Sequence, residues 1–145
     1  MEVAQYINVS EVKRVCTELG IRDWTEMKEP RVSEEEARVI LSEVNQEGME
    51  IELGEFRAGL EVELEHGTQF PDANVTNNHP LLTGKIVLAH FKESLDYYRL
   101  LEVAEVEGDL AKAIFENNAA KAKKYYRKLA EAKIALSQAQ LRRLA

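Results

Sequence analysis

The chain has 145 residues, with 26 acidic and 19 basic side chains, 45% hydrophobic residues, one cysteine and three prolines. That length suits one ordinary domain with its own core, and the balance of apolar and charged residues excludes disordered, collagen-like and low-complexity classes. A single cysteine rules out a disulfide-stapled scaffold, and no apolar run approaches the roughly 18–20 residues of a membrane span.

The net charge of −7 is unevenly divided. Residues 1–108 hold 10 basic and 23 acidic side chains, whereas residues 109–145 hold 9 basic and 3 acidic ones. An acidic region of −13 therefore precedes a basic one of +6, an asymmetry found in nucleic-acid or membrane tails and in self-complementary surfaces. The start, Met-Glu-Val-Ala-Gln-Tyr, has neither a basic nor an apolar leader region, so the expectation is a cytoplasmic protein without a signal peptide.

In chain order, Ser10 is the expected N-cap of a first helix. Val12, Val15, Cys16 and Leu19 form its apolar face, and Gly20 is its stop. Cys16 on that face reads as a buried small hydrophobe, since no base or metal-ligand partner lies near it in sequence. Trp24, in the following loop, reads as a core anchor. Ser33-Glu-Glu-Glu36 spells a capping box, with Val32 and Ala37 placed as a hydrophobic staple. Val39, Ile40, Leu41 and Val44 then line a second helix that is expected to stop by Gly48. A third helix runs from about Leu53 to His66 and is expected to end at Gly67. Residues 67–79 form a long loop rich in Asn, Thr and Pro, whose amides suit an ordered surface turn. Pro80 opens a fourth helix, expected to reach Glu107 and stop at Gly108. Residues 109–145 follow as a basic helix or helical hairpin, with Asn117-Asn118 as the break. No period-two alternation points to strands. The fold class expected is all-α: about four helices in an acidic domain, residues 1–108, with an appended basic extension, residues 109–145.

One constellation has the makings of chemistry. On the third helix Glu63 and His66 form an i, i+3 carboxylate–imidazole pair, and on the fourth His90 lies in the apolar side with Glu93 one turn on. An antiparallel pairing of the two helices would bring Glu63, His66, His90 and Glu93 together. Such donors suit a divalent first-row metal, and a metal-bound water would make the protein a hydrolase or oxidoreductase. Against this, the Glu-x-x-His of dimetal bundles occurs once here and reversed on the second helix. A histidine beside a helix end is also favoured by the helix dipole alone. No nucleophile elbow, Walker loop or dinucleotide fingerprint is present.

The stretch Glu55-Phe-Arg-Ala-Gly-Leu-Glu-Val-Glu-Leu-Glu-His-Gly67, followed by Asn74-Val-Thr76, Thr83-Gly-Lys-Ile-Val-Leu-Ala-His90 and Asp96-Tyr-Tyr98, resembles an uncharacterised family. That family is a small domain of unknown function in short bacterial, archaeal and phage proteins. The resemblance covers roughly residues 33–105 and implies a compact helical domain without an assigned activity. This chain departs from the family pattern at Asn78-His79, where acidic residues are usual, and at Ser94-Leu95, where a proline is usual.

The basic end carries its own expectation. Tyr125, Leu129, Ala132, Leu136 and Ala139 make an apolar stripe on the terminal helix, flanked by Lys121, Lys124, Lys128 and Arg142. Lys121, Lys124, Tyr125, Lys128, Leu129 and Leu136 are therefore the expected interaction residues. Packing against a protein partner or a second copy is the leading expectation. Nucleic-acid binding through phosphate contacts and stacking is the alternative, disfavoured by a sequence pI near 5.1. No membrane partner is expected.

Overall fold

The computed structural model describes residues 6–144; residues 1–5, which include most of the stretch read for a leader, and residue 145 lie outside the described part. Among the described residues the regular elements are all helical: α1 (Val9–Leu19), α2 (Glu34–Val44), α3 (Leu53–Gln69), α4 (Pro80–Glu93), α5 (Tyr97–Phe115) and α6 (Ala119–Leu144), with single 3₁₀ turns at Trp24–Glu26 and Pro71–Ala73. No helix among them is long and apolar enough to cross a membrane. The chain forms two compact units, Met1–Lys92 and Glu93–Ala145.

In the first unit α1 begins one residue before Ser10. Its cap is Asn8, whose side chain accepts from the Glu11 amide at 2.9 Å, while Ser10 donates its hydroxyl to that same oxygen. Gly20 ends the helix in the left-handed region, φ +67°, where a side chain would be strained. The capping box of α2 is complete in both directions, 3.1 Å from Glu36 N–H to Ser33 Oγ and 2.8 Å from Ser33 N–H to Glu36 Oε2. The core gathers Val12, Val15, Cys16, Trp24, Val32, Ala37, Ile40, Phe56, Leu60, Leu64, Val87 and Phe91. α4 meets α2 at Gly84, where an added Cβ would come within 2.6 Å of Ile40 Cγ2; close helix approach there requires glycine.

Three expected boundaries move. α3 does not stop at Gly67 but runs through it to Gln69. The glycine serves packing instead: a Cβ would lie 2.7 Å from Asn78 Oδ1 and 2.8 Å from Asn74 Cγ, so the loop can fold back onto the helix only where no side chain intervenes. The single helix expected over residues 80–107 is two helices. Ser94 breaks it, its carbonyl accepting from Tyr97 N–H at 3.0 Å and its hydroxyl from Asp96 N–H at 3.2 Å, a local alternative to helix continuation. Gly108 then stops nothing. It sits exposed inside α5, without a positive φ and with no atom within 4 Å of where a Cβ would lie. The charge division at Gly108-Asp109 consequently falls within a continuous helix.

The second unit is a helical hairpin. α5 ends at Phe115, Asn117 turns the chain at φ +53°, and Asn118 caps α6 by accepting from Lys121 N–H at 3.0 Å. The break expected at Asn117-Asn118 is where the structure has it. Ion pairs join Asp96 to Arg143 near the open end and Glu107 to Lys133, at 2.9 Å, in the middle. These two pairs mark the antiparallel register of α5 against α6.

Candidate functional site

The expected cross-helix pair forms. His90 Nδ1 of α4 stands 3.0 Å from Glu63 Oε1 of α3, with both side chains largely buried. His66, one turn beyond Glu63, is exposed at the cleft edge. Glu63 and His66 both line a cleft of about 160 Å³ with Gly67, Asn74, Thr76, Asn78 and Thr83. Glu93, the last residue of α4, is exposed. Among the described residues no three His, Cys, Asp or Glu side chains gather closely enough to hold a metal ion. The four expected ligands therefore contribute a Glu63–His90 pair beside a polar cleft.

That cleft is walled by the long loop, which asparagines tie down. Asn74 Nδ2 donates to Asn78 Oδ1 at 2.9 Å, Asn78 Nδ2 to the Trp24 carbonyl at 3.3 Å, and Asn77 Nδ2 to the Ile7 carbonyl at 2.7 Å. Asn77 and Asn78 both adopt positive φ, 49° and 59°, which asparagine tolerates better than other side-chain-bearing residues. His79 is buried, and its Nδ1 accepts from Leu82 N–H at 3.3 Å, so a neutral imidazole caps α4. Burial pushes its pKa below the ordinary value; Arg14 and Lys85 act in the same direction and Glu11 opposes.

A second polar group is built into the core. Glu36 Oε1 accepts from Trp24 Nε1 at 3.0 Å and Arg22 Nε at 2.9 Å, and Oε2 accepts from the Ser33 amide. Burial works to raise this carboxyl, but the Ser33, Trp24 and Arg22 donors prevail and hold it below the ordinary carboxylate value. Every hydrogen bond here serves the fold. Cys16 is buried, and burial pushes its thiol up, away from thiolate chemistry.

In the hairpin, three of the expected interaction residues have a partner within the chain. Tyr125, Leu129 and Leu136 lie on the face of α6 turned to α5 and are buried or half-buried. Lys121, Lys124 and Lys128 are exposed. Lys121 approaches Glu116 at 3.6 Å, and Lys128 lines a groove of about 320 Å³ together with Glu102 and Glu131. Carboxylates thus interleave with these lysines.

What sequence reasoning missed is a further apolar set. Leu100 and Ile114 of α5 are 47% and 58% exposed, and Tyr126, Ile134 and Leu141 of α6 are 68%, 57% and 65% exposed. The signal was available as spacing. Leu100, Val103, Glu107, Leu110 and Ile114 recur at alternating steps of three and four, as do Tyr126, Leu129, Lys133, Leu136 and Gln140. An expected helix stop at Gly108 divided the first series and hid it. In the second, the polar members Lys133 and Gln140 interrupt the apolar run.

The sequence profile of a family described as "Protein of unknown function (DUF5661)" matches residues 12–107. Neither a curated protein nor a solved structure matches the chain. The matched region starts well before residue 33, so most of α1 and the Trp24 turn lie within it.

Proposed function

The chain belongs to the DUF5661 family, whose description assigns no activity, and we propose from its own geometry that it is a helical protein-interaction module whose α5–α6 hairpin is the docking element. One observation carries this reading: the hairpin exposes large apolar side chains, Leu100, Ile114 and Tyr126, on heptad positions that extend the seam between its own two helices. Two helices close one side of such a seam and leave the other open, and a bundle closes it with further helices. Exposed apolar groups of this size along one face are characteristic of interaction surfaces.

The test is the size of the protein in extracts of cells that naturally make it. Size-exclusion chromatography should find the chain in a complex larger than its own 16.5 kDa. An Ile114→Ser/Tyr126→Ser variant, changed only at exposed positions, should elute as the free chain with unaltered helical circular dichroism. Elution of the wild-type chain at 16.5 kDa would end the proposal.

A further inference from the structure

The hairpin's open seam has a charged layer at its centre. Glu107 is the middle member of the α5 series and Lys133 the middle member of the α6 series, and the two pair at 2.9 Å while remaining half exposed. The register set by this pair and by Asp96–Arg143 makes five levels: Ile114 with Tyr126, Leu110 with Leu129, Glu107 with Lys133, Val103 with Leu136, and Leu100 with Gln140. The levels on either side of the ion pair are apolar on both helices, as is the level nearest the turn. Only at the open end does an apolar residue, Leu100, stand across from an uncharged polar one. A charged layer flanked by apolar levels is the usual device for selecting one partner and one register.

Resting on the docking role of the hairpin, we infer that the occupant of the seam is a second copy of the same hairpin, laid so that α5 of one copy covers α6 of the other and the two turns lie at the same end. Charge complementarity selects this arrangement. With α5 over α6, each Glu107 faces the partner's Lys133 as well as its own, and the central layer becomes an alternating square of two carboxylates and two ammonium groups. With the second copy reversed, Glu107 would face the partner's Glu107 and Lys133 the partner's Lys133, placing like charges at the centre of the interface.

The dimensions suffice. α5 has 19 residues, so each face is about 28 Å long and, across two helices, about 20 Å wide; the two faces together cover about 1,100 Å², around the size a specific interface requires. The arrangement is also closed, because the same patch serves both copies about a two-fold axis, and no seam is left open for a third. All neighbouring helices are antiparallel, as in an ordinary four-helix bundle.

Purified full-length chain tests the inference. Sedimentation equilibrium should give the mass of two chains, about 33 kDa from the 16.5 kDa of one. Glu107→Lys should weaken association at least about tenfold, and adding Lys133→Glu in the same chain should restore it, since both pairings are then re-formed with reversed sign. For the arrangement, an equimolar mixture of Ile114→Cys and Tyr126→Cys chains should cross-link with a short bis-maleimide, whereas a mixture of Leu100→Cys and Ile114→Cys chains should not. The native Cys16 is buried and does not interfere. A purified chain that stays at 16.5 kDa while its complex in cell extract persists would overturn the second copy as occupant and leave the docking role standing. Cross-linking of the Leu100→Cys and Ile114→Cys mixture would overturn the arrangement, and a Glu107→Lys effect below about twofold would overturn the role of the polar layer.

Discussion

Replacing Glu36 by glutamine isolates a polar contribution without making a cavity. The carboxylate accepts from three directions: Trp24 Nε1 and Arg22 Nε reach Oε1, and the Ser33 amide reaches Oε2. A glutamine of the same shape has one oxygen, so its NH₂ must face either the indole N–H or the Ser33 amide, donor against donor. Stranding one buried donor and losing one charge-assisted bond costs about 2–4 kcal/mol. The half-exposed Arg22 adds little, because solvent screens it. For a chain of this length that loss corresponds to a melting point lower by about 6–12 °C. Urea denaturation followed by fluorescence is the direct assay, because Trp24 is the only tryptophan and itself makes the bond. The pH dependence follows from the sign of the shift. Burial works to raise the Glu36 carboxyl, but its donors hold it below the ordinary 4.5. Its stabilisation is therefore complete above that value and lost as pH falls through the lower, folded-state value. The gap between wild type and Glu36→Gln should persist down to pH 5 and close only in stronger acid. A gap under about 0.5 kcal/mol at pH 7, well short of the cost of a stranded buried donor, or one that closes above pH 5, would refute this account.

Three further outcomes are expected. His79 is held neutral by burial, below its ordinary 6.5, so the folded state loses stability as pH drops from that value towards the depressed one. His79→Asn, which keeps an acceptor for Leu82 N–H, should flatten the stability profile between about pH 7 and 5; parallel profiles would count against it. Gly108→Ala should raise stability by about 0.5–1 kcal/mol, as expected for an exposed helix-interior glycine, whereas Gly67→Ala should lower it by about 1–3 kcal/mol because its methyl meets Asn78 and Asn74; urea titration of both variants checks the pair. Elemental analysis of untagged protein should find metal well below one equivalent and unchanged by His90→Ala, since two donors fall short of the three or four that a transition-metal site uses. Stoichiometric metal that drops in the variant would reverse that reading.

Much of the first unit was legible because its signals are local. The capping box at Ser33–Glu36 and the apolar face of α1 follow from residue types three or four apart, and both stand in the structure. The Glu63–His90 contact was legible as well, once α3 and α4 were taken as neighbours. What escaped was set by contacts distant in sequence. Gly67 looks like a helix stop, and only the return of Asn74 and Asn78 shows that it is a place of close approach. Glu36 looks like half of a capping box, and nothing nearby in the chain says that its second oxygen serves Trp24, twelve residues earlier. Ser94 has the opposite character: its turn is local, but two weak hydrogen bonds decide it, and the apolar spacing runs straight across.

The hairpin shows why one apolar stripe is an incomplete reading of a long helix. In α6 the stripe Tyr125, Leu129, Ala132, Leu136, Ala139 packs within the chain against α5, so by itself it does not mark a surface left open for a partner. Of the large apolar side chains left exposed, Leu100, Ile114 and Tyr126 share one face, whereas Phe115, Ile134 and Leu141 lie off it. Leu100, Ile114 and Tyr126 continue a seven-residue repeat whose apolar members Val103, Leu110, Leu129 and Leu136 the hairpin already buries or half-buries, and the repeat is centred on a charge pair that each helix half completes. Isolated exposed leucines are ordinary on any surface, but a repeat covered on one side and open on the other is the pattern on which the proposed docking role rests. Gln140 fits the same picture, since it lies at the open end of the hairpin, where a bundle core gives way to solvent. The basic character of residues 109–145 gains a physical meaning in these terms. Lys133 and Arg143 supply counter-charges for Glu107 and Asp96, so part of the change of sign along the chain is used in joining the two helices of the hairpin.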